Sequence, residues 1–362
     1  MDIKQQYISY QEIKDGVSIE CDNYGLAAYL GESRKEAFFH NPNLTNLSDC
    51  LLALVRVDGV VVGREMLFPS KVRAYDTESY AQSCSALDVD ERFQHLAIGS
   101  DLFRYYTKVT DYPFVICSGI SDQALPLYKV WRYHVLEFPR YMLLCRANSI
   151  LNSLGLKGVV LKTFSLIPNV GIKLWSFVNS VRIKSKFKKF KLLKENIVPD
   201  WVDTITLDGK YKYMEIHDKE WLQWCLDYNF RNEPRNIQSF YSIYQNNKPV
   251  GFFMTKERFR ESAGGKLKNI LLGAIVEWGT FDDSILSEDN IYKLALSTFS
   301  KNIDIIELAS SNLNIGKKLR TFGLIKHGFA HIAFKDKSKK YIDASDINLW
   351  RIRYGYADVI LT

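Results

Sequence analysis

Apolar positions in this chain follow two rhythms that alternate. LLALVRV and VVVGREMLF flank Asp58-Gly59, and two apolar runs joined by Asp-Gly predict a β-hairpin with a two-residue turn. A further strand is predicted over 79–89, and a helix from about Gly99 through DLFRYYTKV. FVICSGI reads as a short buried strand, and SDQALPLYKVWRY as a helix capped by Ser121 or Asp122. The mixed residues ahead of the first hairpin read as helical.

The second half repeats this order. SFYSIYQ and PVGFFMTKE flank Asn246-Asn247, NILLGAIVEWG is a strand, and NIYKLALSTFSK a helix. IDIIELAS, SNLNIGKKLRTFG and FAHIAFKD then read as strand, helix and strand. Val62-Gly63 and Val250-Gly251 lie 188 residues apart, and the other repeated elements keep nearly that offset. A long-period repeat of this kind is an internal duplication. It predicts an α/β (α+β) chain of two tandem domains, each a mixed, mostly antiparallel sheet flanked by helices. The expected division is 1–146, a connector over 147–199, and 200–362.

Charge singles out that connector. The formal net charge of +7 equals the excess contributed by seven basic residues between Arg182 and Lys194, a stretch without an acid. The connector is apolar with interspersed lysines, then strongly basic. Three readings follow: a helical link whose lysines face water, an amphipathic face resting on an acidic membrane through residues 182–194, or a nucleic-acid contact. The last has no aromatic-rich sheet or recognition helix beside it. No run of about 18 uncharged apolar residues occurs. The six cysteines are scattered and MDIKQQYISYQEIKDG has no apolar leader core, so the expectation is a cytoplasmic protein with reduced thiols.

Between the strand ending at Val89 and the next helix stands Gln94-His95-Leu96-Ala97-Ile98-Gly99-Ser100. A helix N-terminus carrying small residues presents backbone N–H groups and a positive dipole end, a site for a pyrophosphate. After the following strand comes Ser121-x-x-Ala124-x-x-Leu127-Tyr128-x-x-x-Arg132-Tyr133. Together these resemble the coenzyme motif [Arg/Gln]-x-x-[Gly/Ala]-x-[Gly/Ala] and the Asn-x-x-Ala-x-x-Leu-Tyr-x-x-x-Gly-Phe helix of the Gcn5-related N-acetyltransferase superfamily. Val89 and Phe93 also match the family's lead-in. The resemblance covers roughly residues 50–145 and departs at Ser121 for Asn, Arg132 for Gly and Glu91 for Pro.

The resemblance implies two acyl-CoA N-acyltransferase-like domains, the first with acetyl-CoA as co-substrate and no metal. It implies that the amides of Ala97 through Ser100 hold the pyrophosphate, with Gln94, His95, Leu96 and Ser121 beside the coenzyme. Splayed strands near Leu87 to Val89 would receive the pantetheine as an added strand, and a backbone N–H there would polarise the thioester carbonyl. A small-molecule amine would attack directly, with Tyr128 protonating the departing thiolate. Asp88 and Glu65 are the candidates for the general base. Cys84 reads as packing rather than as a covalent nucleophile.

In the second half Asn312-x-x-Ile315-x-x-Lys318-Leu319-x-x-x-Gly323-Leu324 keeps the helix spacing, but leucine replaces the tyrosine. GTFDDSILSEDN carries four acids where the coenzyme turn would be, so this copy is expected to close the cleft without binding coenzyme. His327-x-x-x-His331 falls on a predicted strand with no third ligand nearby. The tandem arrangement also looks like enzymes of surface-polysaccharide synthesis, which act on amino sugars. It is distantly similar to Fem-type aminoacyltransferases, which use aminoacyl-tRNA. A non-catalytic binding protein is the third reading.

Overall fold

A computed structural model describes residues 2–17, 30–153, 156, 158–230, 235–262 and 267–361. Cys21 and Lys157 lie outside the described residues. The first half supplies strands β1 (Ile3–Ser9), β2 (Cys50–Val57), β3 (Val60–Ala74), β4 (Thr77–Val89), β5 (Phe114–Ser118) and β6 (His134–Leu144). The second supplies β7 (Phe190–Glu195), β8 (Tyr213–Glu215), β9 (Ile237–Gln245), β10 (Lys248–Ser262), β11 (Lys268–Thr280), β12 (Ile305–Ala309) and β13 (Ile325–Asp336).

The duplication is visible element by element. β3 and β10 each have 15 residues, β4 and β11 each 13, and β5 and β12 each 5. Both expected hairpins form with two-residue turns, pairing Val57 with Val60 and Gln245 with Lys248. Both central residues have positive φ in each turn (Asp58 48°, Gly59 87°; Asn246 51°, Asn247 60°), which matches the right-handed strand twist. The repeated glycine has a packing cause. A Cβ on Gly63 would stand 2.7 Å from Ile98 Cγ2, and one on Gly251 only 2.6 Å from the Gly279 carbonyl oxygen.

The halves do not form separate sheets. Among the described residues all thirteen strands join one sheet, in which β13 lies between β5 and β6, and β6 lies between β13 and β12. Each half therefore ends in a strand that pairs antiparallel with the fifth principal strand of the other half. The short β8 reaches back to pair with β3. One apolar core follows, joining Phe38 and Phe68 of the first half to Phe252 and Trp350 of the second.

Two local expectations change. The opening residues form strand β1, paired with β2, before the short helix α1 (Tyr10–Lys14). As an outer strand with a single buried side chain, Ile8, β1 shows little of the alternation that marks a half-buried strand. The connector is helical over α5 (Asn148–Ser153) and α6 (Gly158–Lys186), but its basic end becomes β7 and pairs with β9. The second half's sheet thus begins before residue 200.

Candidate active site

The turn over 94–100 is built as its residue types require. Glu91–Leu96 forms a 3-10 turn, Ala97 takes the left-handed conformation (φ 57°), and helix α3 (Ile98–Val109) begins there. Ile98 is buried and anchors the helix, while His95 is exposed. Two assignments shift. The Ala97 N–H is used within the turn, donating to the Gln94 carbonyl at 3.3 Å. The Gln94 amide donates to the Val89 carbonyl at 3.2 Å, so this side chain braces the turn. The amides at Ile98, Gly99 and Ser100 are the first-turn donors that a helix leaves without intrahelical partners. Gly99 leaves open approach: an added Cβ would find nothing nearer than Val89 Cγ2 at 3.6 Å.

Beside this turn the sheet splays. β4 pairs with β5 only as far as Cys84 with Cys117. Between Arg64↔Asp88 and Met66↔Ser85, β4 carries one residue more than β3, with Ala86 at φ 56°. That bulge re-aims the end of β4. Ser85, Ala86 and Leu87 then face Ser118, Gly119 and Ile120 across a cavity of about 940 Å³. Leu87 and Ser121 line it, whereas Val89 packs in an apolar cluster with Ile98 and Leu102. The Ser121 hydroxyl accepts from the Ala124 N–H at 3.2 Å, capping the turn before helix α4 (Leu125–Val130).

Tyr128 on α4 projects into this cavity beside Glu65, Cys84 and Cys117. Burial pushes its phenol pKa well up, helped by Cys117, Glu65 and Cys84, so the hydroxyl keeps its proton. The helix ends with Arg132 left-handed (φ 56°), where the family pattern has glycine; its counterpart Gly323 is also left-handed (φ 85°). The Tyr133 N–H donates to the Tyr128 carbonyl, and Leu324 to Leu319, closing the same cap in both halves.

Neither base candidate fits that role. Asp88 does not line the cavity; it is ion-paired to Arg64 at 2.9 Å and largely exposed. Glu65 does line it, but is fully buried, and neither carboxylate oxygen has a nitrogen or oxygen donor. Burial, then Cys117, raises its pKa well above the ordinary carboxylate range. Burial thus favours the neutral carboxyl, which disfavours Glu65 as the acceptor of the amine's proton.

The opposite wall comes largely from the other half. Arg140 on β6, Arg258 and Arg260 on β10, and Arg353 and Tyr354 in the C-terminal tail all line the cavity. Arg140 pairs with Glu307 at 3.0 Å, and the Tyr354 hydroxyl donates to the same carboxylate at 3.1 Å. Arg258 Nε is buried without a hydrogen-bond partner. Sequence reasoning missed this wall. Its one linear signal was Lys256-x-Arg258-x-Arg260, cations at the two-residue period of one strand face. His327 and His331 also line the cavity, and His331 Nε2 lies 3.1 Å from Glu137. Among the described residues no group of three candidate metal ligands occurs.

The corresponding place in the second half is a cavity of about 590 Å³ lined by Ser287, Glu288, Asp289, Asn312 and Lys318. The turn ahead of helix α9 (Glu288–Leu296) carries Ser287, and Asp289 bonds Lys293 at 2.6 Å and Lys318 at 3.0 Å. The tail runs along β11, where the Gly355 N–H donates to the Val276 carbonyl at 2.8 Å. Behind it lies a buried charge network that sequence analysis did not anticipate. His217 bonds Glu277 and, at 3.0 Å, Glu215; Arg351 and Arg353 reach Glu277 at 3.0 and 3.2 Å. Burial alone would lower the His217 pKa, but its bonds to Glu215 and Glu277 raise it to about 9. The Ala357 N–H also donates to Glu215, at 2.8 Å.

This combination of split sheet, bulged fourth strand and helix N-terminus defines the fold of the Gcn5-related acyltransferases. No protein-family profile and no curated protein matches the sequence. Solved structures do match in fold. Saccharomyces cerevisiae N-myristoyltransferase with bound myristoyl-CoA aligns with a TM-score of 0.56 at 13% identity, over 92% of this chain and 82% of that one. A GCN5-related N-acetyltransferase from Anabaena variabilis aligns with 0.51 at 11% identity, over 92% and 73%. A probable N-acyltransferase from Enterococcus faecalis gives 0.51 at 11%, over 93% and 73%.

Proposed function

We propose that this protein transfers an acetyl or related acyl group from acyl-CoA to the amine of a small acceptor. The observation that carries this reading is the bulged, splayed end of β4 leading into the α3 N-terminus, with Tyr128 across the slot. The pyrophosphate sits on the amides of Ile98, Gly99 and Ser100, and the pantetheine runs between the β4 and β5 edges. The amine nitrogen bonds to the acyl carbon while the carbon–sulfur bond breaks. Tyr128 donates its proton to the leaving sulfur, and the attacking nitrogen's surplus proton returns to the phenolate. The second half holds no coenzyme in this reading, since Glu288 and Asp289 put carboxylates on the cavity at that place. Its strands and tail instead build the acceptor wall.

That wall indicates what the acceptor carries. Arg258 and Arg260 stand beside Arg140 and Arg353, which are ion-paired to Glu307 and Glu277, and cations near an amine favour its uncharged form. The amine therefore binds uncharged, ready to attack without a dedicated carboxylate base. The unfilled Arg258 Nε–H calls for an acidic oxygen. We infer an amino sugar bearing a phosphoryl or carboxylate group, as surface-polysaccharide precursors do.

Calorimetric titration with acetyl-CoA tests the donor. One site per chain is expected, weakened about thirtyfold or more by Gly99→Glu, which sets a carboxylate on the helix N-terminus. A folded protein that ignores acetyl-CoA would turn attention to aminoacyl-tRNA as donor or to a non-catalytic role. For the acceptor, Arg258→Ala should raise KM about tenfold for an amino-sugar phosphate and leave the unphosphorylated amine unaffected. Equal effects on both would remove the anion from the reading.

A further inference from the structure

Helix α6 (Gly158–Lys186) leaves most of its large apolar side chains outside. Its inward side packs through Ser165, Asn179 and Ile183, which are buried, and Asn179 donates to the Phe322 carbonyl at 3.3 Å. Its apolar side faces outward. Leu166, Ile167, Val170, Leu174, Phe177 and Val181 recur at helical spacing and are all exposed, Ile167 by 81% and Phe177 by 66%. At about 100° per residue these six fall within roughly 100° of arc, a continuous apolar stripe. Water-facing helices carry the opposite pattern, and an apolar patch of this extent marks an interaction surface.

The charges beside the stripe select its partner. From Ala147 to Lys194 the sequence holds ten Lys and Arg residues and no acid. Lys186, Lys188, Lys189, Lys191 and Lys194 are exposed where the helix runs into β7. A second copy pairing through this face would bring basic segment against basic segment with no counter-charge. A bilayer with acidic headgroups supplies both an apolar layer for the stripe and anions for the lysines. No helix among the described residues is long and apolar enough to cross a membrane, so the geometry is that of a helix lying in the interface.

We propose that the outer face of α6, with the lysines that follow it, docks this protein on an acidic membrane surface. The contact is independent of the coenzyme site. Sedimentation with phosphatidylcholine vesicles, with and without phosphatidylglycerol, measures it on the full chain. Binding is expected on the acidic vesicles and should fall as salt rises. Leu174→Ser with Phe177→Ser should weaken it about tenfold or more, leaving acetyl-CoA affinity and melting temperature unchanged, since both side chains are exposed. Lys188→Gln with Lys189→Gln should cost about tenfold on acidic vesicles alone. Failure of the parent to bind acidic vesicles would overturn the proposal, as would equal binding by the serine variant. So would a concentration-dependent dimer, seen by light scattering without vesicle affinity and abolished by the serine substitutions, which would assign the face to a second copy.

Discussion

Tyr128→Phe is expected to lower turnover about a hundredfold while acetyl-CoA affinity stays within about twofold. The ring packs edge-on against Phe103 at 4.4 Å and Tyr133 at 5.3 Å, and phenylalanine keeps both contacts. Only the hydroxyl is lost, and with it the proton for the leaving sulfur. Because burial holds that phenol protonated, the parent should show no alkaline limb from this group near neutral pH. The decisive comparison uses an acyl thioester of an aryl thiol, whose thiolate leaves without a proton. Parent and variant should turn it over at similar rates. Unchanged turnover with acetyl-CoA would remove Tyr128 from the chemistry.

His217→Leu is expected to destabilise the fold by about 3–5 kcal/mol, the cost of leaving partners of a buried ion cluster unmatched. Leucine removes the cation between Glu215 and Glu277, both fully buried. The same network sets a pH dependence. The His217 pKa stands at about 9 in the folded chain, against about 6.5 unfolded. Its contribution, about 3 kcal/mol, is fully present below pH about 6.5 and is lost as pH rises through about 9. Glu277 acts at the other end. Burial would raise its pKa, but Arg351 and His217 hold it at about 2, so its contribution is lost only as pH falls through that value. Urea unfolding of parent and variant near pH 6 and again above the His217 pKa measures this. The parent should lose stability at the higher pH more steeply than the variant. Parallel losses would place the pH dependence elsewhere.

Much of the fold was legible because it rests on local rules. Asp58-Gly59 and Asn246-Asn247 set their hairpin turns through backbone preference, and the repeat spacing announced the duplication. The turn at Ala97–Ser100 and the helix bearing Tyr128 were equally local. The strand β6 escaped notice because HVLEFPRYMLL lacks clean alternation and contains Pro139. It sits between β12 and β13, two strands of the other half.

The candidate base illustrates the limit well. Glu65 and Asp88 are equivalent acids in the sequence, on neighbouring strands. Which one meets the cavity depends on the bulge at Ala86, and which one stays charged depends on burial and on Arg64. Likewise no spacing rule links Arg140, Arg258 and Arg353, which belong to three elements brought together by the strand exchange.

The sequence by itself determined the doubled α/β pattern, the turn ahead of α3, and the isolated basic segment, since each is written in neighbouring residues. Tertiary structure alone decided that the two halves share one sheet and that the cavity wall is arginine. It also decided that His217 is charged and that α6 turns its apolar side outward. These depend on long-range pairing and on what is left exposed afterwards, quantities that no stretch of chain carries on its own.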